Sequence, residues 1–98
     1  MTAINVVRFR VKPGMDQEFL DAHRDGKAGW PGLTGGRIID AGERNYVLIG
    51  EWPDMSALTD ARTRMIATLD TFRHALEELS PELGVTDAIS GTVALLLK

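Results

Sequence analysis

The amino-acid sequence predicts an α+β domain whose elements run β-α-β-β-α-β. Three observations carry the prediction. Ile4 to Lys12 alternates with the period of a strand; Arg37 to Pro53 reads as two apolar strands around a tight turn; and the stretches after Met15 and after Pro53 change to a helical period.

In the first strand Val7, Phe9 and Val11 share one face with Asn5, while Arg8, Arg10 and Lys12 lie on the other beside Ile4 and Val6. Pro13-Gly14 ends it, because proline cannot donate to a ladder and glycine tolerates the following turn. Met15, Phe19, Ala22 and His23 then form one stripe of a helix expected to stop near Gly26, with Asp16 and Glu18 suited to its positive end. Gly26 to Gly36 is a loop containing the turn-forming Trp30-Pro31-Gly32. It has no G-x-G-x-x-G spacing and leads into a strand, so its glycines read as turn formers and not as a phosphate cradle.

The hairpin follows. Ile38 and Ile39 precede the turn cluster Ala41 to Asn45, and Tyr46, Leu48 and Trp52 then point to one face while Val47 and Ile49 point to the other. Asp54 is a fitting N-cap for a second helix. Its stripe, Met55, Leu58 and Ala61 and then Met65, Leu69, Phe72, Leu76 and Leu79, predicts a helix continuing to Ser80-Pro81. The apolar run Gly91 to Leu97 reads as a fully buried last strand. The whole is the ferredoxin-like arrangement: a four-stranded antiparallel sheet with both helices on one face. Apolar residues on both faces of the hairpin and last strand imply that a second copy covers the bare face, so a homodimer is expected.

With 98 residues the chain, 1–98, forms one domain. Eleven Lys and Arg scattered among 14 Asp and Glu give a net charge of −3, which argues against a nucleic-acid partner. The absence of cysteine excludes thiolate catalysis and Cys-ligated metals. No apolar run approaches the ~20 residues of a membrane span, and the N-terminus does not read as a signal peptide, so a cytoplasmic protein is expected.

Val11-Lys12-Pro13-Gly14 at the end of the first strand, Pro31-Gly32-Leu33-x-x-Gly36 at the entry to the hairpin, and Gly50-Glu51-Trp52 followed by Ser56-Ala57-Leu58 resemble the antibiotic biosynthesis monooxygenase (ABM) superfamily of dimeric α+β barrels. The resemblance covers almost the whole chain. It implies a small monooxygenase working without a cofactor on an aromatic, polyketide-like phenol. A haem-degrading branch implies an alternative, with Asn5 and His74 as counterparts of its site residues, although Ala61 stands about where that branch has a Trp.

Among residues that could carry chemistry, His23 is the candidate base, because it lies at the edge of the first helix's stripe and looks toward the sheet. Asn5 or Trp52 is the candidate hydrogen-bond donor to a developing oxyanion. Trp52 and Tyr46 share a strand face and could wall an aromatic pocket, with Trp30 as a lid. His74 points opposite its helix's apolar stripe and reads first as a surface residue. Two distant histidines offer no metal site, and there is no G-x-S-x-G elbow for a hydrolase. The alternative to an oxygenase is a non-catalytic dimer binding a small apolar ligand.

Overall fold

The computed structural model describes residues 1–26 and 30–98. Its elements are β1 (Ala3–Arg10), α1 (Asp16–Gly26), β2 (Gly35–Gly42), β3 (Asn45–Trp52), α2 (Met55–Phe72), a single 3-10 turn (Arg73–Ala75) and β4 (Asp87–Thr92). The four strands form one antiparallel sheet in the order β2-β3-β1-β4, so the ferredoxin-like topology stands. Of the predicted loop from Gly26 to Gly36, residues 27–29 lie outside the described residues; from Trp30 onward it turns as expected, with Gly32 at φ 91°.

Strand alternation decides which side chains meet the helices. Ala3, Asn5, Phe9 and Val11 are buried beneath them, as are Tyr46, Leu48 and Trp52. Phe9 from the sheet, Phe19 from α1 and Phe72 from the end of α2 interlock edge to face, with ring centroids 5.2–5.8 Å apart. Burying each such ring contributes roughly 2–3 kcal/mol, so this cluster pins α1 and the end of α2 to the centre of the sheet. Asp54 caps α2 by accepting from the Ala57 N–H at 2.8 Å.

Two boundaries differ from the expected ones. The second helix stops at Phe72 and, after the 3-10 turn, Leu76 is extended and bridges Val11. The end of β1 captures the chain there: the Lys12 N–H donates to the Ala75 carbonyl at 2.8 Å, and the Glu77 N–H to the Arg10 carbonyl at 2.7 Å. Leu76 therefore fills the core from a strand-like segment, which reproduces the apolar spacing of a helix without being one.

The last strand is Asp87–Thr92 and not Gly91–Leu97. Thr92 pairs with Ala3, the first residue of β1, and one further bond joins the Val93 N–H to the Thr2 carbonyl. Beyond that rung no further pairing is made among the described residues. Leu95, Leu96 and Leu97 are accordingly 75%, 78% and 90% exposed.

On the face away from the helices, Ile4, Val6, Val47 and Ile49 lie together in the two central strands, flanked by Ile39 on β2 and Ile89 on β4. Arg8 and Asp87, paired at 3.2 Å, interrupt this surface.

Candidate functional site

The Phe cluster fills one end of the space between sheet and helices; the other end is open. A cavity of about 320 Å³ lies under α2, between Leu58, Met65 and Leu69 above and Asn5, Val7 and Leu48 below. Its mouth runs along the β4 edge, where the exposed residues Arg62, Ile66, Ala88 and Ser90 line it. The volume is at the lower end of the range for small-molecule sites, and the walls are mostly apolar.

Asn5 is the polar group built most deliberately into this cavity. It pairs with Gly50 on β3 and with Ser90 on β4. Its carboxamide leans across Gly50, and a Cβ there would come within 3.0 Å of Asn5 Oδ1. Glycine is what lets the side chain lie flat on the sheet. The buried Trp52 donates its indole N–H to Asn5 Oδ1 at 2.8 Å. An indole nitrogen only donates, so the oxygen must face it and the NH2 must face away. That NH2 meets Met65 Sδ at 3.9 Å, a weak acceptor, and has no oxygen partner among the described residues. Trp52 itself is fully buried and does not line the cavity; it holds the residue that does.

His23 also lines the cavity, tilted against Phe72 with ring centroids 4.6 Å apart and edge-on to Phe19 at 4.7 Å. Its Nδ1 lies 3.0 Å from the Phe19 carbonyl, which can only accept, so Nδ1 carries the proton and the neutral ring presents a lone pair at Nε2. Burial pushes the imidazole below its usual pKa of 6.5, while the bond to Phe19 opposes the shift. The ring also lines a second, shallower cavity of about 440 Å³ on the β2 side, together with Trp30, Leu48 and Arg37.

Trp30 lies against both cavities and is not loose: its indole N–H donates to Thr68 Oγ1 on α2 at 3.0 Å. Tyr46 lines neither cavity; its hydroxyl donates to Asp16 Oδ2 at 2.6 Å, and that carboxylate pushes the phenol up to about 12. His74 is exposed, faces Glu18 at hydrogen-bond distance, and also lines neither cavity. As the resemblance's counterpart of an iron ligand it does not fit, because nothing puts it beside a space that could take a haem. Among the described residues no cluster of His, Cys, Asp or Glu could hold a metal ion.

The structure thus brings Asn5, His23 and Trp30 to one cavity, with Trp52 behind Asn5, and leaves Tyr46 and His74 elsewhere. It adds Gly50 and Arg62, which the sequence reading passed over. An isolated glycine inside a strand is a sign of close approach, and Arg62 interrupts the stripe Leu58-x-x-x-Arg62-x-x-Met65 that faces the sheet.

No protein-family model matches this sequence, and no curated protein matches it. Its structure does have neighbours. SnoaB, a cofactor-independent oxygenase from Streptomyces nogalater, superposes with a TM-score of 0.76 over 98% of this chain and 96% of its own, at 19% identity. A putative antibiotic biosynthesis monooxygenase from Caulobacter crescentus gives 0.74 over 96% and 91%, at 17% identity. A third, from Nitrosomonas europaea, gives 0.75 over 95% and 90%, at 14% identity. At such identities the likeness is one of backbone, and on that ground the chain has the fold of the antibiotic biosynthesis monooxygenases.

Proposed function

We propose that the protein is a small, cofactor-independent oxygenase acting on a phenolic, polyketide-like aromatic held in the cavity beneath α2. The observation that supports it best is the Asn5 amide: oriented by Trp52, seated on Gly50, and directed into an apolar space with no oxygen acceptor of its own. Such a donor has a use when negative charge develops on a ligand oxygen beside it. In this reading an anthrone-type methylene loses a proton to His23 Nε2, and the resulting enolate oxygen accepts from Asn5. Molecular oxygen bonds to the carbanion carbon; the peroxide is protonated, and loss of water leaves a carbonyl. One CH2 and one O2 thus become one C=O and one H2O, with the substrate as the reductant. Keeping His23 neutral is what burial does, and a neutral imidazole is the form that can take the proton.

The test is oxygen uptake with an anthrone. Loss of turnover in His23→Ala and in Asn5→Ala, with both variants folded, is expected; an unchanged rate in His23→Ala removes the assigned base. The second reading, a non-catalytic binder of a small apolar ligand, is favoured by how few polar groups line the cavity, and it predicts ligand binding without oxygen uptake.

The same proposal includes a cytoplasmic homodimer joined through the open sheet face, as the exposed Ile39 and Ile89 and their apolar neighbours on β1 and β3 suggest. No described helix is long and apolar enough to cross a membrane.

A further inference from the structure

The mouth of the cavity contains an arginine whose partners do not account for its charge. Among the described residues, Arg8, Arg24, Arg37, Arg44 and Arg73 each lie within 4.0 Å of a carboxylate. Arg62 does not. Among the described residues the one side-chain hydrogen bond of Arg62 is from Nη2 to Ser90 Oγ at 3.4 Å, long for such a bond and made to a neutral group. That contact turns the guanidinium toward β4 without holding it tightly. Ser90 is the β4 residue in register with Asn5, so the cation sits on the β4 side of the same rung whose β3 side, over Gly50, carries the Asn5 amide. Both groups line one apolar cavity, the amide on the floor and the guanidinium at the mouth.

We infer that Arg62 makes the site selective for an aromatic carboxylate, binding the acid group at the mouth while the ring system lies inward under Asn5. A guanidinium presents a planar fork of donors that matches a carboxylate with two parallel bonds, and most of that fork is unused here. The apolar walls strengthen the attraction relative to open water, and the weak Ser90 contact is easily exchanged for the ligand. The inference rests on the cavity being the ligand site, as proposed above, and names the chemical class that enters it.

The test compares anthracene-2-carboxylate with its neutral carboxamide, titrated against the full chain and followed by quenching of tryptophan fluorescence from Trp30 and Trp52. At low salt the wild type should bind the carboxylate ~10-fold more tightly than the carboxamide, a preference that shrinks as salt is added. Arg62→Gln should lose the preference while keeping the carboxamide affinity. Arg64→Gln, which removes an equal charge from an exposed site outside the cavity lining, should keep it. Equal binding of the two probes by the wild type, or a preference that survives in Arg62→Gln, overturns the role of Arg62 and leaves the cavity reading standing. Binding of neither probe overturns the cavity reading, and this inference with it.

Discussion

Gly50→Ala is the smallest change that tests the architecture of the site. A methyl group there would come within 3.0 Å of Asn5 Oδ1 and 3.1 Å from Trp52 Nε1, and the atoms in its way belong to two buried side chains held by each other. Neither is the far end of a flexible chain. Accommodating the methyl requires the Asn5 amide to swing off Trp52, leaving a buried indole N–H unpaired at about 1–3 kcal/mol, or β1 and β3 to separate, with an overpacking cost of about 1–3 kcal/mol. A loss of about 1–3 kcal/mol follows, a large part of the ~5–15 kcal/mol that holds a domain together. At ~4–8 °C per kcal/mol for a chain of this size, Tm should fall by ~5–25 °C. Cause and site are separated by a double-mutant cycle measured by urea denaturation. Asn5→Ala removes the obstructing atoms, so Gly50→Ala introduced into that background should cost less than about 1 kcal/mol. If Gly50→Ala is as stable as the wild type, or costs the same with and without the Asn5 side chain, the amide is not seated on Gly50 and the donor geometry proposed for the site is wrong.

Three other outcomes follow from the same structure. Tyr46→Phe should cost about 1–2 kcal/mol at pH 7, from loss of the bond to Asp16, and leave ligand binding unchanged because Tyr46 lines neither cavity. In the wild type that contribution is full below pH 10 and is lost between pH 10 and about 12, since the folded-state pKa is the raised one; urea midpoints of the two proteins should converge over that range. His23 behaves oppositely: its folded-state pKa lies below 6.5, the unfolded chain takes up the proton first, and stability falls as the pH drops below 6.5. Denaturation at pH 7.5 and 5.0 should show a loss in the wild type that is smaller in His23→Leu, and an equal loss in both would show that His23 is not the source. Ile49→Glu, placed in the centre of the open sheet face, should convert the proposed dimer to monomer in sedimentation; a wild type that is already monomeric at micromolar concentration would refute that assembly.

What could be read from the chain alone was whatever depends on local period. Val7, Phe9 and Val11 alternate because one face of β1 is buried, and Met15, Phe19 and His23 recur because one face of α1 is; both patterns were visible and both elements formed. The pattern failed where tertiary pairing replaced helix bonding. Leu76 continues the stripe of Phe72 at helical spacing, yet its backbone is taken by the end of β1. It failed again at the C-terminus, where the greasiest residues, Leu95 to Leu97, lie past the last available rung and the modest Asp87-Ala88-Ile89-Ser90 makes the strand. Of the candidate site, Asn5 and His23 were legible as polar residues on apolar faces. Their relation to Gly50, Trp52 and Arg62 was not, because it depends on the register of β1 against β3 and β4, which no local period encodes.

The distribution of side-chain size across the sheet explains why a cavity exists at all. Under α1 and the end of α2 the chain supplies Phe9, Phe19 and Phe72, and the space is full. Beside that cluster the helix-facing positions of the edge strand are Ala88 and Ser90, and those of β1 are Asn5 and Val7, all short side chains opposite Leu58, Met65 and Leu69. A sequence that can fill one half of its core with interlocking rings leaves the other half lined by short side chains. There it places an oriented amide, a neutral imidazole and an arginine without an acid partner. Packing alone favours none of these: each is a polar group set against apolar walls, and each is met by one particular neighbour, Gly50 beneath Asn5, the Phe19 carbonyl behind His23, and Ser90 beside Arg62. The space is therefore a consequence of the same register that positions the donors, so a change filling it from β4 should alter binding before it alters the fold.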